Sequence, residues 1–130
     1  MSISHGTIAF DTLTTSDQVN TGTEKSIDTS YLFNGIPKFF TRTAANGEST
    51  NDSFNQSTLT DTAQGKQDFV FTNAMSSTNY VVHVQPHDSF VNEPSVNNIF
   101  TTGFRGDCND NVTGDRVDTS QGNTVHGDLA

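Results

Sequence analysis

Apolar residues in this chain fall into short runs with a two-residue period, separated by clusters of turn-forming residues about every 8–15 positions. Over residues 68–71, Phe69 and Phe71 alternate with Asp68 and Val70. Over residues 80–84, Tyr80, Val82 and Val84 share one face, and β-branched and aromatic side chains fill the run. A strand sends alternate side chains to opposite faces, so this pattern gives half-buried strands and would scatter apolar groups around a helix. No stripe at helical spacing and no Ala/Leu heptad competes with it. The polar residues are mostly Thr, Ser and Asn, which suit strands and turns, whereas helix-forming Ala, Leu, Glu and Lys are scarce. The expected fold is all-β: a small antiparallel β-sandwich or barrel-like domain.

The same reading places the punctuation. Asn34-Gly35, Ala44-Ala45-Asn46-Gly47 and Ala63-Gln64-Gly65-Lys66 are turns. Ile8 and Phe10 share a face of a first strand over residues 7–13, and Tyr31 and Phe33 do so in a later one. Pro37 breaks any helix ahead of Phe39-Phe40. A strand over 53–60 starts near Phe54 and ends near Leu59, and Pro86 ends the strand that begins at Tyr80. Pro94 and its neighbouring Asn residues mark a loop before a strand over 98–104. Residues 105–122, rich in Gly, Asp and Asn, read as a long loop or irregular strands, with a last short strand through Thr124, Val125 and His126. Residues 1–25 form an N-terminal arm or strand plus linker, and residues 26–130 a single β domain.

Leu, Ile, Val and Phe make up a little over a fifth of the 130 residues, so a lone core is thin. Partial disorder and a core completed by neighbouring subunits both fit. The ten Phe residues favour the second, because disordered chains are poor in aromatics. Net charge is −9, and six Lys and Arg residues form no cluster, which excludes a phosphate-neutralising nucleic-acid binder. No apolar run approaches the ~20 residues of a membrane helix, so no membrane insertion is expected. The N-terminus lacks the basic region and apolar run of a signal peptide. Cys108 is the sole cysteine and reads as a free thiol in a loop, with a disulfide between subunits as the lesser alternative.

Catalytic constellations are absent from the sequence. There is no Gly-x-Ser-x-Gly elbow, no phosphate loop, and nothing that singles out a carboxylate pair for glycoside hydrolysis, so the expectation is a non-enzyme without cofactor. His83 and His87 lie about 13 Å apart on an extended strand, too far for one ion, and read as a polar-face strand residue and a loop residue. Asp107-Cys108-Asn109-Asp110-Asn111, with Asp118 at the twelfth position, partly follows a calcium-loop pattern. Val112 stands where that loop needs Gly, so an Asx-rich turn is the reading, and no metal site is expected. Arg105-Gly106-Asp107 spells an adhesion tripeptide and reads as a turn.

One segment resembles a known family. Asp52-Ser53-Phe54-Asn55-Gln56-Ser57, Leu59-Thr60-Asp61, Gly65, Phe71-Thr72-Asn73-Ala74-Met75 and Asn79-Tyr80-Val81-Val82 resemble a segment common in tail-fibre-type proteins of bacteriophages, many from aquatic phages. The lead-in over 31–40 and the end at Val125-His126-Gly127-Asp128 are similar to that family's as well. Gln67 departs from it, standing where an aromatic residue is frequent, and residues 86–122 match poorly. The resemblance implies a virion structural protein, a tail-fibre or fibre-tip component acting in host attachment and assembled as a homotrimer. Its partners would be other virion proteins, further copies of itself and a host surface glycan or receptor, and its location the phage particle, the tail ahead of the head. In that setting the strand from Tyr80 pairs with the strand through Phe69 and Phe71. Loops over 88–98 and 105–122 are the candidate receptor surfaces, with Phe90, Phe104, Asp107 and Asn109 as the candidate binding residues. A capsid decoration protein that stabilises the head is the alternative, and a free carbohydrate-binding module a third reading.

Overall fold

The computed structural model describes residues 12–14, 26–28, 33, 35–44, 47–87 and 92–130. The chain divides into two compact units, Met1–Ile36 and Pro37–Ala130. In the first, β1 (Thr12–Thr14) pairs antiparallel with β2 (Ser26–Asp28). Ile8, Phe10, Tyr31 and Asn34 lie outside the described residues, as does Phe90.

The second unit is a β-sandwich. Its strands are β3 (Phe39–Thr43), β4 (Thr50–Phe54), β5 (Gln56–Ala63), β6 (Lys66–Phe71), β7 (Val81–Pro86), β8 (Asn92–Phe100), β9 (Gly103–Asp110) and β10 (Gln121–His126). They form two four-stranded sheets, ordered β4-β3-β10-β7 and β5-β6-β9-β8, with every neighbouring pair antiparallel. The hairpins β3–β4, β5–β6 and β8–β9 stay within a sheet, and the other connections cross between sheets.

Two-residue alternation dictates the inner faces. Burial alternates along β3 and β10, so Phe39 and Val125 point inward while Phe40 and Thr124 point out. Phe39 sits at the centre of the core. Its ring meets Phe71 at 5.1 Å, Phe104 at 5.7 Å and Phe69 at 6.3 Å, in edge-on geometries that suit the aromatic quadrupole. Met75 and Tyr80 complete the buried cluster, and Leu59, Val82 and Val96 pack on its flanks. A chain short of aliphatics closes its core with rings, because each ring buries more area than a branched aliphatic.

At the expected turn the Gly47 amide donates to the Ala44 carbonyl at 2.8 Å, and Ala45 and Asn46 lie outside the described residues. Gln64-Gly65 joins β5 to β6. Gly65 has φ +66, and a Cβ there would lie 2.5 Å from the Cys108 carbonyl oxygen, so only glycine fits.

Several expectations are corrected. The single strand over 53–60 is two, because Asn55 takes φ 60 and turns the chain from one sheet to the other. Its side-chain amide donates to the carbonyls of Lys38 and Asn73, and its carbonyl oxygen accepts from the Asn73 amide at 2.7 Å. The corner is thereby held from both sides, and Asn tolerates the left-handed conformation better than most residues.

The strand beginning near Tyr80 does not pair with that through Phe69 and Phe71. β7 pairs with β10, and β6 with β5 and β9. Tyr80 and Phe71 meet instead across the sandwich, ring to ring at 5.8 Å. Pro94 is in a strand, not a loop. β8 is an edge strand, where a residue without an N–H is tolerated. The first part of the expected loop after Phe104, residues 105–110, belongs to the interior strand β9, because small residues (Gly103, Gly106, Cys108) let it lie close under its neighbours, whereas residues 111–120 lie outside the named strands as expected. Arg105-Gly106-Asp107 is accordingly extended, not a turn, and Cys108 is a fully buried strand residue rather than a loop thiol.

Candidate functional site

The outer face of sheet β5-β6-β9-β8 carries the candidate site. The register sets Asp68 opposite Arg105, and Arg105 opposite Asn97. The guanidinium donates twice to the carboxylate, Nε to Oδ1 at 2.6 Å and Nη2 to Oδ2 at 2.8 Å, a fork that holds both side chains flat on the sheet. This hydrogen bonding holds the Asp68 carboxyl below its ordinary range and raises Arg105. Three further guanidinium N–H groups remain on Arg105 beyond the two used.

One register step toward the β8–β9 hairpin, the surface turns apolar. Val70 lies opposite Gly103, and Gly103 opposite Phe100. An open pocket of about 120 Å³ lies here, bounded by the Asp68–Arg105 pair, Val70, Phe100, Gly103 and Asn98. Phe100 is 59% exposed at its rim. Asn98, at φ 50, lies within the irregularity between Asn97 and Phe100 that shifts the register of the edge strand. Gly103 keeps the floor low, since a Cβ there would meet the Phe69 carbonyl oxygen at 2.1 Å.

Tyr80 fixes this hairpin from inside the sandwich. Its hydroxyl lies 2.7 Å from the Gly103 carbonyl oxygen and 2.8 Å from that of Phe100, one proton shared between two acceptors on either side of the turn. Burial pushes the phenol up to about 12. The arrangement offers an apolar ring face, hydrogen-bond donors and a carboxylate within one shallow recess. Those groups suit a ligand with hydroxyls on one side and C–H groups on another.

Of the expected binding residues, Phe104 borders this pocket, whereas Asp107 and Asn109 do not line it. Phe90 is outside the described residues. Phe104 is corrected from loop to core: it is 2% exposed, and its ring stacks on Phe69 at 5.0 Å, because its position on β9 faces inward. Asp107 is corrected likewise, being 4% exposed on β9, with Oδ2 accepting from Asn97 at 2.7 Å and paired with Arg116 at 3.0 Å. Asn109 is half-buried in the same strand rather than on a loop. Phe100 and Asp68 fall outside the residues the sequence points to, while Asn98 and Arg105 enter only as the ends of the candidate loops over 88–98 and 105–122. Period two puts Asp68 and Arg105 on polar faces, but only the strand register makes them neighbours.

The calcium-like pattern does not close into a loop. Asp107 and Asn109 belong to β9, the Asp110 carboxylate accepts from the amides of Val112 and Thr113, and Asp118 accepts from Gly65 at 2.6 Å. That use of Asp110 is an Asx turn. His83 lies on β7 and meets His126 ring to ring at 6.0 Å, while His87 lies beyond the end of β7, against Gly122. Among the described residues, no group of three or more His, Cys, Asp or Glu side chains is placed to hold a metal ion. Among them, too, no helix is long and apolar enough to cross a membrane. Comparison with protein-family models, with curated proteins and with solved structures finds no match.

Proposed function

We propose that this chain is a structural protein of a bacteriophage virion, a tail-fibre or fibre-tip component that takes part in host attachment through the recess at the β8–β9 hairpin. The observation that carries the reading is that recess: an exposed ring, Phe100, beside a fixed Asp68–Arg105 fork on a rigid sheet. Aromatic platforms combined with fixed polar groups recognise the C–H faces and hydroxyls of a surface glycan. The likeness of residues 52–82 to tail-fibre proteins supports the same reading. That segment contains the Asn55 corner, β5, the Gly65 turn and β6.

A homotrimer belongs to the proposal. Its support is the apolar area left outside: Phe54 and Phe40 stack at 6.2 Å on the outer face of sheet β4-β3-β10-β7, and Phe54 and Val81 are both more than half exposed. Burial of such patches by another copy is the ordinary remedy for a thin core. Residues 1–25, which fall within the separate unit Met1–Ile36, would serve as the arm toward the particle.

The deciding experiment is gold labelling of intact virions with a specific antibody, viewed by electron microscopy. Label on the tail or its fibres is expected. Label spread over the head would replace attachment with capsid decoration, and absence from the particle would leave a free binding module. In parallel, Phe100→Ala and Arg105→Ala should each abolish binding of the purified protein to host cells, with the trimer intact.

A further inference from the structure

The sandwich interior changes character along its strands. At one end Phe39, Phe69, Phe71, Phe104 and Val125 close on one another. Two residues along β3 and β10, the inward positions pass to Thr41 and Asn123, which are register partners, and then to Thr43 and Gln121. On the facing sheet, the inward position after Phe69 is Gln67, whose register partner is Gly106. Thr41, Gln67, Gln121 and Asn123 are each at most 2% exposed.

Two glycines make room for these amides. The Gln121 Oε1 atom lies 3.0 Å from where a Cβ on Gly106 would stand, and a Cβ on Gly47 would overlap the Gln67 amide nitrogen. Side chains from both sheets thus converge on one polar region. Six of their atoms have no hydrogen-bond partner among the described residues: Thr41 Oγ1, Gln67 Oε1, and both amide atoms of Gln121 and of Asn123. Buried polar atoms in native proteins are almost always partnered, by protein, ordered water or an ion.

The chemistry of the six decides which. Gln121 Nε2 and Asn123 Nδ2 donate and need acceptors, whereas the three amide oxygens need donors and the Thr41 hydroxyl takes either. A cation would satisfy the oxygens and leave two amide N–H groups facing positive charge. The buried carboxylate Asp107 gives no help, because it alternates with Gly106 and faces away. Water both donates and accepts. We propose that this end of the sandwich is a built hydration site, in which bound water bridges Thr41, Gln121 and Asn123 of one sheet to Gln67 of the other. The two sheets are then joined by solvent at this end and by phenylalanine rings at the other.

The test is magnetisation transfer from water to the side-chain amide protons of Gln121 and Asn123, by NMR on the full chain. Cross-peaks from water with a long residence time are expected, and they should weaken in Thr41→Val, which keeps the side chain's shape. Asn123→Leu should lower the unfolding temperature by stranding the groups that water had bridged. Resolved amide protons without such cross-peaks would overturn the proposal. So would a rise in unfolding temperature in either variant, which would mean that the atoms were dry and unpaired. Saturable shifts of the same resonances on adding CaCl2 or KCl would overturn it in favour of an ion.

Discussion

Replacing Tyr80 by Phe removes one oxygen and leaves the ring that packs on Phe71 at 5.8 Å. What is lost is the bond shared by the carbonyls of Gly103 and Phe100, at 2.7 and 2.8 Å. An intramolecular hydrogen bond contributes a net of about 0.5–1.5 kcal/mol, and stranding a buried acceptor raises the loss to about 1–3 kcal/mol. The bond to Gly103 is buried and that to Phe100 is only part-buried, so water can replace the second more readily than the first. The expected loss is therefore about 1.5–2 kcal/mol, read by urea denaturation, with a fall in unfolding temperature of about 6–12 °C. The same variant carries a pH signature. Burial holds the Tyr80 phenol near 12 when folded, whereas in the unfolded chain it ionises near its ordinary value of about 10. Below that value the stabilisation is complete. Between the two the unfolded chain releases its proton first, so stability falls as pH rises. Tyr80→Phe should lose this alkaline decline. A loss below about 0.5 kcal/mol, or an unchanged alkaline decline, would refute the role assigned to the hydroxyl.

Other perturbations separate packing, backbone and charge. Phe39→Ala deletes the ring at the centre of three edge-on contacts and should cost about 3–5 kcal/mol, enough to unfold much of the population in an equilibrium denaturation measurement. Gly65→Ala forces a Cβ against the Cys108 carbonyl at a positive φ, and should destabilise by more than about 1 kcal/mol and expose the amides of the β5–β6 hairpin to hydrogen exchange. Asp68→Asn should change stability by no more than about 1 kcal/mol at neutral pH, because the pair is partly exposed. The Asp68 carboxyl is lowered, so its contribution is present above the unfolded carboxyl pKa and lost as pH falls through the folded one. Acid denaturation of Asp68→Asn should be correspondingly shallower. Cys108 is fully buried and burial pushes its thiol up, so a thiol reagent should react only at the rate of unfolding, and non-reducing gels should show no disulfide-linked dimer.

The sequence by itself determined the all-β class, the runs that become β6, β7 and β10, and the turns at Gly47 and Gly65. These depend on local chemistry: alternation selects an extended chain, and positive φ selects glycine. It did not determine which strands lie side by side. Alternation shows that Tyr80 and Phe71 both face a core, but in-plane pairing and packing across a sandwich use the same inward faces, and only long-range register chooses between them. Composition misled over residues 105–110, where Gly, Asp and Asn suggest a loop. There, small residues let an interior strand fit beneath its neighbours, and Asp107 finds Asn97 and Arg116 only once the sheet has formed. The recess beside Phe100 was illegible for the same reason. Asp68 and Arg105 stand 37 residues apart in the chain, and what makes them one fork is the register of β6 on β9, a property of the folded sheet.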